Sequence, residues 1–138
     1  MDRIFLDANV LFSAAWRPES PLRALWSRDV ERVTSSYAVE EARRNLAALR
    51  PESLPDLEHL LTGLRIQPVT DDMGLDPGIP LAEKDRPILA AAIAILATHL
   101  LTGDKTHFGP FYGTTVHGVR ILPPSVYLAD TSDHASSG

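Results

Sequence analysis

The chain has no cysteine, little aromatic content (7%) and no surplus of positive charge. Without cysteine there can be no disulfide framework, no thiolate nucleophile and no thiolate metal site, a pattern that fits a cytoplasmic protein. The longest apolar run, Ile88 to Ala97, is too short to span a bilayer, so no membrane association is expected. No basic segment followed by a long apolar stretch opens the chain, so no secretory signal is expected. The net charge of −5 and pI near 5.4 count against a binder that relies on a broad basic footprint. They leave a nuclease open, because a bound cation supplies positive charge locally. Basic residues are also unevenly placed: Arg17, Arg23, Arg28, Arg32, Arg43, Arg44 and Arg50 all fall in the first 50 residues.

What is present suffices for a core. The 138 residues are 44% hydrophobic, enough for one domain. No internal repeat is visible. Strand and helix patterns alternate: strands at 3–6, 32–34, 65–69, 100–102 and 119–122, helices at 8–16, 21–28, 37–49, 52–63 and 85–97. Pro68 points to an edge position for the third strand. Residues 70–83, with Gly74, Pro77, Gly78 and Pro80, read as a loop, as do residues 107–118. This alternation predicts an α/β fold, a mainly parallel sheet covered by helices, over residues 1–129. The polar stretch 130–138 is expected to be a disordered tail.

The opening segment, MDRIFLDANVLFSAAW, ends a short apolar strand in Asp7. Asp7 has two readings. It can cap the following helix, or it can serve a ligand, since ligands in open α/β sheets bind beyond the carboxyl ends of the strands. Leu100-Leu101-Thr102 repeats the arrangement, ending in Gly103-Asp104. If these two strands are neighbours, Asp7 and Asp104 share one sheet edge. Asp85 opens a helix on the same side as Ile88 and Leu89, either as its cap or aimed into a cleft. In the helix from Tyr37, Ala38, Val39, Ala42, Leu46 and Leu49 mark the buried face. At about 100° per residue Glu40 lies nearly opposite that face and Glu41 at its flank. Glu41 can therefore reach a cleft, or simply pair with Arg44 or Asn45. Four acids gathered in one cleft repel each other unless a cation joins them. An all-oxygen donor set favours Mg²⁺ or Mn²⁺ over zinc.

FLDANVLFSA, SSYAVEEARRNL and KDRPILAAAIAILATHLLTGDKTHF together resemble the PIN-domain family, and within it the bacterial VapC-like toxins. The resemblance runs from about residue 3 to 126. It implies a PIN-like three-layer α/β/α fold and a Mg²⁺- or Mn²⁺-dependent ribonuclease that hydrolyses RNA phosphodiester bonds, the toxin of a toxin–antitoxin pair. The family's acidic quartet falls on Asp7, Glu41, Asp85 and Asp104, as catalytic residues and metal ligands. Its supporting polar residues fall on Asn9, Thr102 and Ser13. RNA, a cognate antitoxin and a second copy of the chain are the implied partners. Lys105, His107, Arg86 and Arg44, each close in sequence to one of the acids, are candidate phosphate contacts; Lys84 and Arg43 share that placement.

Rival readings fit less well. An aspartyl-nucleophile phosphatase needs a second Asp two residues after the first, where Asn9 stands. A receiver domain needs an acidic pair at the first strand end. A PIN-like module that binds RNA or protein without cutting is the remaining alternative, against which the intact quartet argues. Trp16, Trp26, Phe108, Phe111 and Tyr112 can stack on bases or pack internally, and Asp71 and Asp72 read as solvated loop charges.

Overall fold

A computed structural model describes residues 1–69 and 71–137, with side chains as far as Asp130. Of the tail expected to be disordered, the side chains from residue 131 on, and for Gly138 also the backbone, lie outside the described residues.

Six strands form one sheet: β1 (Arg3–Leu6), β2 (Glu31–Ser35), β3 (Arg65–Gln67), β4 (His99–Leu101), β5 (Thr115–Val116) and β6 (Val119–Leu122), in the order β3-β2-β1-β4-β6-β5. All pairings are parallel except β5–β6. The helices are α1 (Ala8–Trp16), α2 (Ser36–Leu49), α3 (Leu54–Leu61), α4 (Arg86–Ala94) and α5 (Pro124–Ser137). This is the expected mainly parallel α/β architecture.

Strand alternation divides the core. Ile4 and Leu6 of β1 enter one apolar cluster with Val10, Leu11, Leu46 and Leu57; Phe5 between them enters the other, with Ile88, Leu89 and Ile121. Successive side chains of a strand point to opposite faces, so helices must cover both, which gives three layers. No described helix is long and apolar enough to cross a membrane.

Several boundaries differ from the sequence expectation, each for a local reason. The segment at 21–28 is a 3₁₀ helix, Pro21–Ser27. The stretch at 52–63 splits into a 3₁₀ turn, Pro51–Ser53, and α3, with Pro55 in its first turn. Ser35 caps α2 through Ala38 N at 3.2 Å, while Ser36 Oγ accepts from Val69 N at 2.9 Å and fastens the chain after β3. The helix expected to reach residue 97 ends at Ala94. Leu96 then takes φ +58° and is 76% exposed. Leu49 likewise lies exposed rather than in the core. The loop at 107–118 contains half of a β-hairpin, β5–β6, turned through His117 and Gly118, both with positive φ. Without an Asn-Gly pair the sequence carries only a weak signal for that turn.

β3 is an edge strand, as Pro68 suggested. β1 lies between β2 and β4. The chain moves to one side of β1 through β2 and β3, then returns to its other side with β4. The end of β1 is therefore a topological switch point, where the helices that follow the strands part and leave a crevice.

Candidate active site

β1 and β4 are paired with Leu6 opposite Leu101, so the residues that follow, Asp7 and Thr102, meet at the same edge. Asp7 N donates to Leu101 O at 3.1 Å. The capping reading of Asp7 holds, and its second oxygen turns toward β4. Its Oδ1 accepts from Ala8 N and caps α1. Its Oδ2 accepts from Thr102 Oγ1 at 2.8 Å and from Asn9 Nδ2 at 3.2 Å. The carboxyl is 4% exposed. Burial pushes its pKa up to about 7 against the pull of the Thr102 and Ala8 hydrogen bonds, and the charges of Glu41 and Asp85 push the same way.

Gly103 sits where the backbone passes Asn9. Its N–H donates to Asn9 Oδ1 at 2.7 Å, and a Cβ would come within 3.3 Å of that oxygen. Asn9 thereby ties the start of α1 to the turn after β4. Asp104 N donates to Thr102 Oγ1 at 3.1 Å. One threonine hydroxyl thus donates to Asp7 and accepts from Asp104 N, which fixes the two acids relative to each other.

Asp85 does not act as a side-chain cap of α4. It is 8% exposed, and its Oδ2 has no hydrogen-bond partner. His107 Nδ1 comes within 2.8 Å of that oxygen, a close charge contact without hydrogen-bond geometry; the ring's hydrogen bond goes to Asp104 Oδ2 at 3.0 Å. Burial raises the Asp85 pKa, His107 opposes, and Asp104 adds to the rise.

Asp7, Glu41, Asp85 and Asp104 line one cleft of about 260 Å³, together with Asn9, Phe12, Asn45, Leu49 and Lys84. The helical spacing of Glu41, Asn45 and Leu49 explains Leu49's exposure: these residues form the cleft-facing stripe of α2. Glu40 is exposed and its charge acts on Arg43 instead.

The remaining candidates divide. Thr102 and Asn9 are at the site. Ser13 is exposed and borders a separate pocket beside Trp16 and Arg17. Arg86 is turned away: it donates to Asp72 Oδ2 at 3.2 Å and to the carbonyls of Leu75, Asp76 and Ile79. Asp72 is accordingly an ion-pair partner rather than a solvated charge. Arg43 is held by Glu58 through two hydrogen bonds. Lys105 and Arg44 are exposed and do not line the cleft, which leaves Lys84 as its basic residue among the described residues. Tyr112, left open between stacking and packing in the sequence, donates from its hydroxyl to Thr102 O at 2.8 Å and buttresses the turn. Phe108 is fully buried.

No protein-family model matches the sequence, and no curated protein matches it. The fold is nevertheless that of the PIN-domain VapC proteins. VapBC2 from Rickettsia felis, solved with a DNA fragment from its promoter, matches at TM-score 0.65 and 15% identity, over 88% of this chain and 98% of that one. VapBC-1 from nontypeable Haemophilus influenzae matches at TM-score 0.61 and 14% identity, over 89% and 98%. VapC20 of Mycobacterium tuberculosis, described as a sarcin–ricin loop cleaving toxin, matches at 0.56 and 15%, over 75% and 91%.

Proposed function

We propose that the protein is a divalent-metal-dependent endoribonuclease that acts as the toxin of a toxin–antitoxin pair. The observation that carries this reading is the charge imbalance of the cleft. Four carboxylates from four segments face one small volume, and one buried oxygen, Asp85 Oδ2, has no hydrogen-bond donor. Such an arrangement fits a cation, and the oxygen-rich donor set fits Mg²⁺ or Mn²⁺.

Asp7, Asp85 and Asp104 would hold the ion, with Glu41 at the α2 side of the cleft as a further ligand, direct or through water. A divalent ion bound there supplies charge neutralisation at a phosphodiester and a water of lowered pKa. Thr102 and Asn9 orient the Asp7 carboxylate, and the Thr102 hydroxyl also fixes the Asp104 backbone. Lys84, at the rim, meets the phosphate backbone. No side chain is needed as a nucleophile. The likeness to VapC20 supports RNA as the substrate class, and the two VapBC neighbours support a protein partner for this chain.

The test is cleavage of structured and unstructured RNA by the purified, partner-free chain. Cleavage should require Mg²⁺ or Mn²⁺, stop with chelator, and fall by about 10³-fold or more in Asp104→Asn, because several kcal/mol of charge stabilisation at the phosphate are lost. RNA binding with no cleavage in either metal would favour a binding module instead.

A further inference from the structure

His107 does more than stand near the acids. Its Nδ1 lies 2.8 Å from Asp85 Oδ2 and 3.0 Å from Asp104 Oδ2. One atom from each of the three residues fits within a span of 4.8 Å. A single N–H cannot serve both carboxylates, and only the Asp104 contact has hydrogen-bond geometry. The Asp85 edge of the triangle is therefore a close approach of two polar atoms that the His107 hydrogen bond does not account for. Neighbouring donor atoms around an octahedral ion with bonds of about 2.1 Å are separated by about 3 Å, which both edges match.

The surrounding bonds hold this arrangement in place. The backbone N–H of His107 donates to Asp104 Oδ1 at 3.1 Å, so that oxygen is occupied and Oδ2 is the one presented beside the ring. Phe108 N donates to Asp104 O at 3.0 Å, and the fully buried Phe108 side chain anchors the turn that carries His107. Glycine 103 and Asn9 secure the other end of the same turn. The backbone that carries the imidazole is thus fixed on both sides.

We infer that His107 Nδ1 is a direct ligand of the cation held by Asp85 and Asp104, and that this nitrogen makes the site prefer Mn²⁺ over Mg²⁺. The inference rests on the metal-dependent reading above and deepens it. Mg²⁺ takes oxygen donors almost exclusively, whereas first-row transition ions accept imidazole. A neutral ring protonated on Nε2 offers its Nδ1 lone pair to the ion. The same ring nitrogen then leaves its hydrogen bond to Asp104 when the ion enters.

The experiment is Mn²⁺ binding followed by electron paramagnetic resonance on wild type and His107→Gln, with Mg²⁺ as competitor. Pulsed spectra of the wild-type Mn²⁺ complex should show coupling to a ¹⁴N nucleus, which shifts to the ¹⁵N pattern when the histidines are ¹⁵N-labelled. His107→Gln should lose the coupling and bind Mn²⁺ at least roughly 10-fold more weakly, the lower end of what losing even an outer partner of a ligand costs. Its Mg²⁺ affinity should change less than its Mn²⁺ affinity. Wild-type Mn²⁺ binding without nitrogen coupling overturns the inference and leaves the carboxylate site intact. Absence of both Mn²⁺ and Mg²⁺ binding overturns the inference together with the metal-dependent reading. If His107→Gln does not fold, the wild-type spectra decide the matter alone.

Discussion

Asp85 and Arg86 are consecutive residues with opposite charges and opposite circumstances. Arg86 turns toward the loop at 71–83 and is satisfied there by one carboxylate and three carbonyls. Asp85 turns toward the cleft and keeps a buried oxygen without a donor. The loop region meets its polar groups internally; Asp71, Asp72 and Asp76 also accept from backbone N–H groups two residues on. The cleft gathers four carboxylates against one lining lysine, Lys84, among the described residues. A saturated charge stabilises the fold, whereas an unsaturated, buried one holds energy in reserve for a ligand. Substitutions on the two sides should therefore move different quantities.

The largest contrast is expected in activity. Glu41→Gln should lower RNA cleavage by about 100-fold or more, by loss of a few kcal/mol at the metal-bearing cleft. Glu40→Gln, one residue away on the exposed side of α2, should leave it within about twofold of wild type. Single-turnover cleavage rates measure both. Equal losses would mean that the cleft does not select between the two faces of α2.

Stability should separate the regions next, and in opposite directions. Burial pushes the Asp7 pKa from its ordinary 3.8 up to about 7 in the folded chain. Its folded form therefore binds more protons between those values, and the slope of stability with pH is negative there. The contribution is most favourable below the unfolded value and is lost as pH rises through the folded one. By linkage the loss is on the order of 4 kcal/mol, an upper bound for the metal-free chain. Asp7→Asn should remove this slope and make the metal-free protein more stable at neutral pH than wild type. Denaturant titrations from pH 4 to 8 in chelator, repeated with Mn²⁺, read it directly; the ion should flatten the wild-type slope.

Arg86→Ala should act in the other sense, lowering stability by about 2–3 kcal/mol through unmade hydrogen bonds to a charged group and a released loop. None of the residues Arg86 contacts lines the cleft, so kcat should change little once the protein is folded. Urea melts and cleavage rates on the same sample check both halves. A large activity loss at unchanged stability would mean that the loop contributes to the substrate groove after all.

Much of this was legible in the residues. The strand ends at Leu6 and Leu101, each followed by polar residues, foretold a shared edge, and pairing of β1 with β4 makes it one. Helical phase separated Glu41 from Glu40, because a 100° step is a large angle on a cylinder. Phase worked less well at helix ends. Leu49 and Leu96 satisfy the apolar period, yet one faces the cleft and the other follows a terminated helix. Arg86 illustrates a different limit. Proximity in sequence to Asp85 suggested a phosphate contact, but adjacent residues on a helix diverge by that same angle, and the loop carbonyls that capture it are fixed by tertiary structure. His107 was visible as a nearby candidate, while its position between two carboxylates depends on the turn through Gly103 and on the approach of α4.

The order of the strands also bears on when the cleft comes into being. β1 emerges first during synthesis, but its partner on one side, β4, is separated from it by more than 90 residues. A nascent chain that has not reached Thr102 has Asp7 without the hydroxyl that holds it and lacks Asp104 altogether. Pairings so distant in sequence form late, after local helices and the β1–β2 contact. Translation thereby withholds the complete constellation of acids until about three-quarters of the 138 residues have been joined.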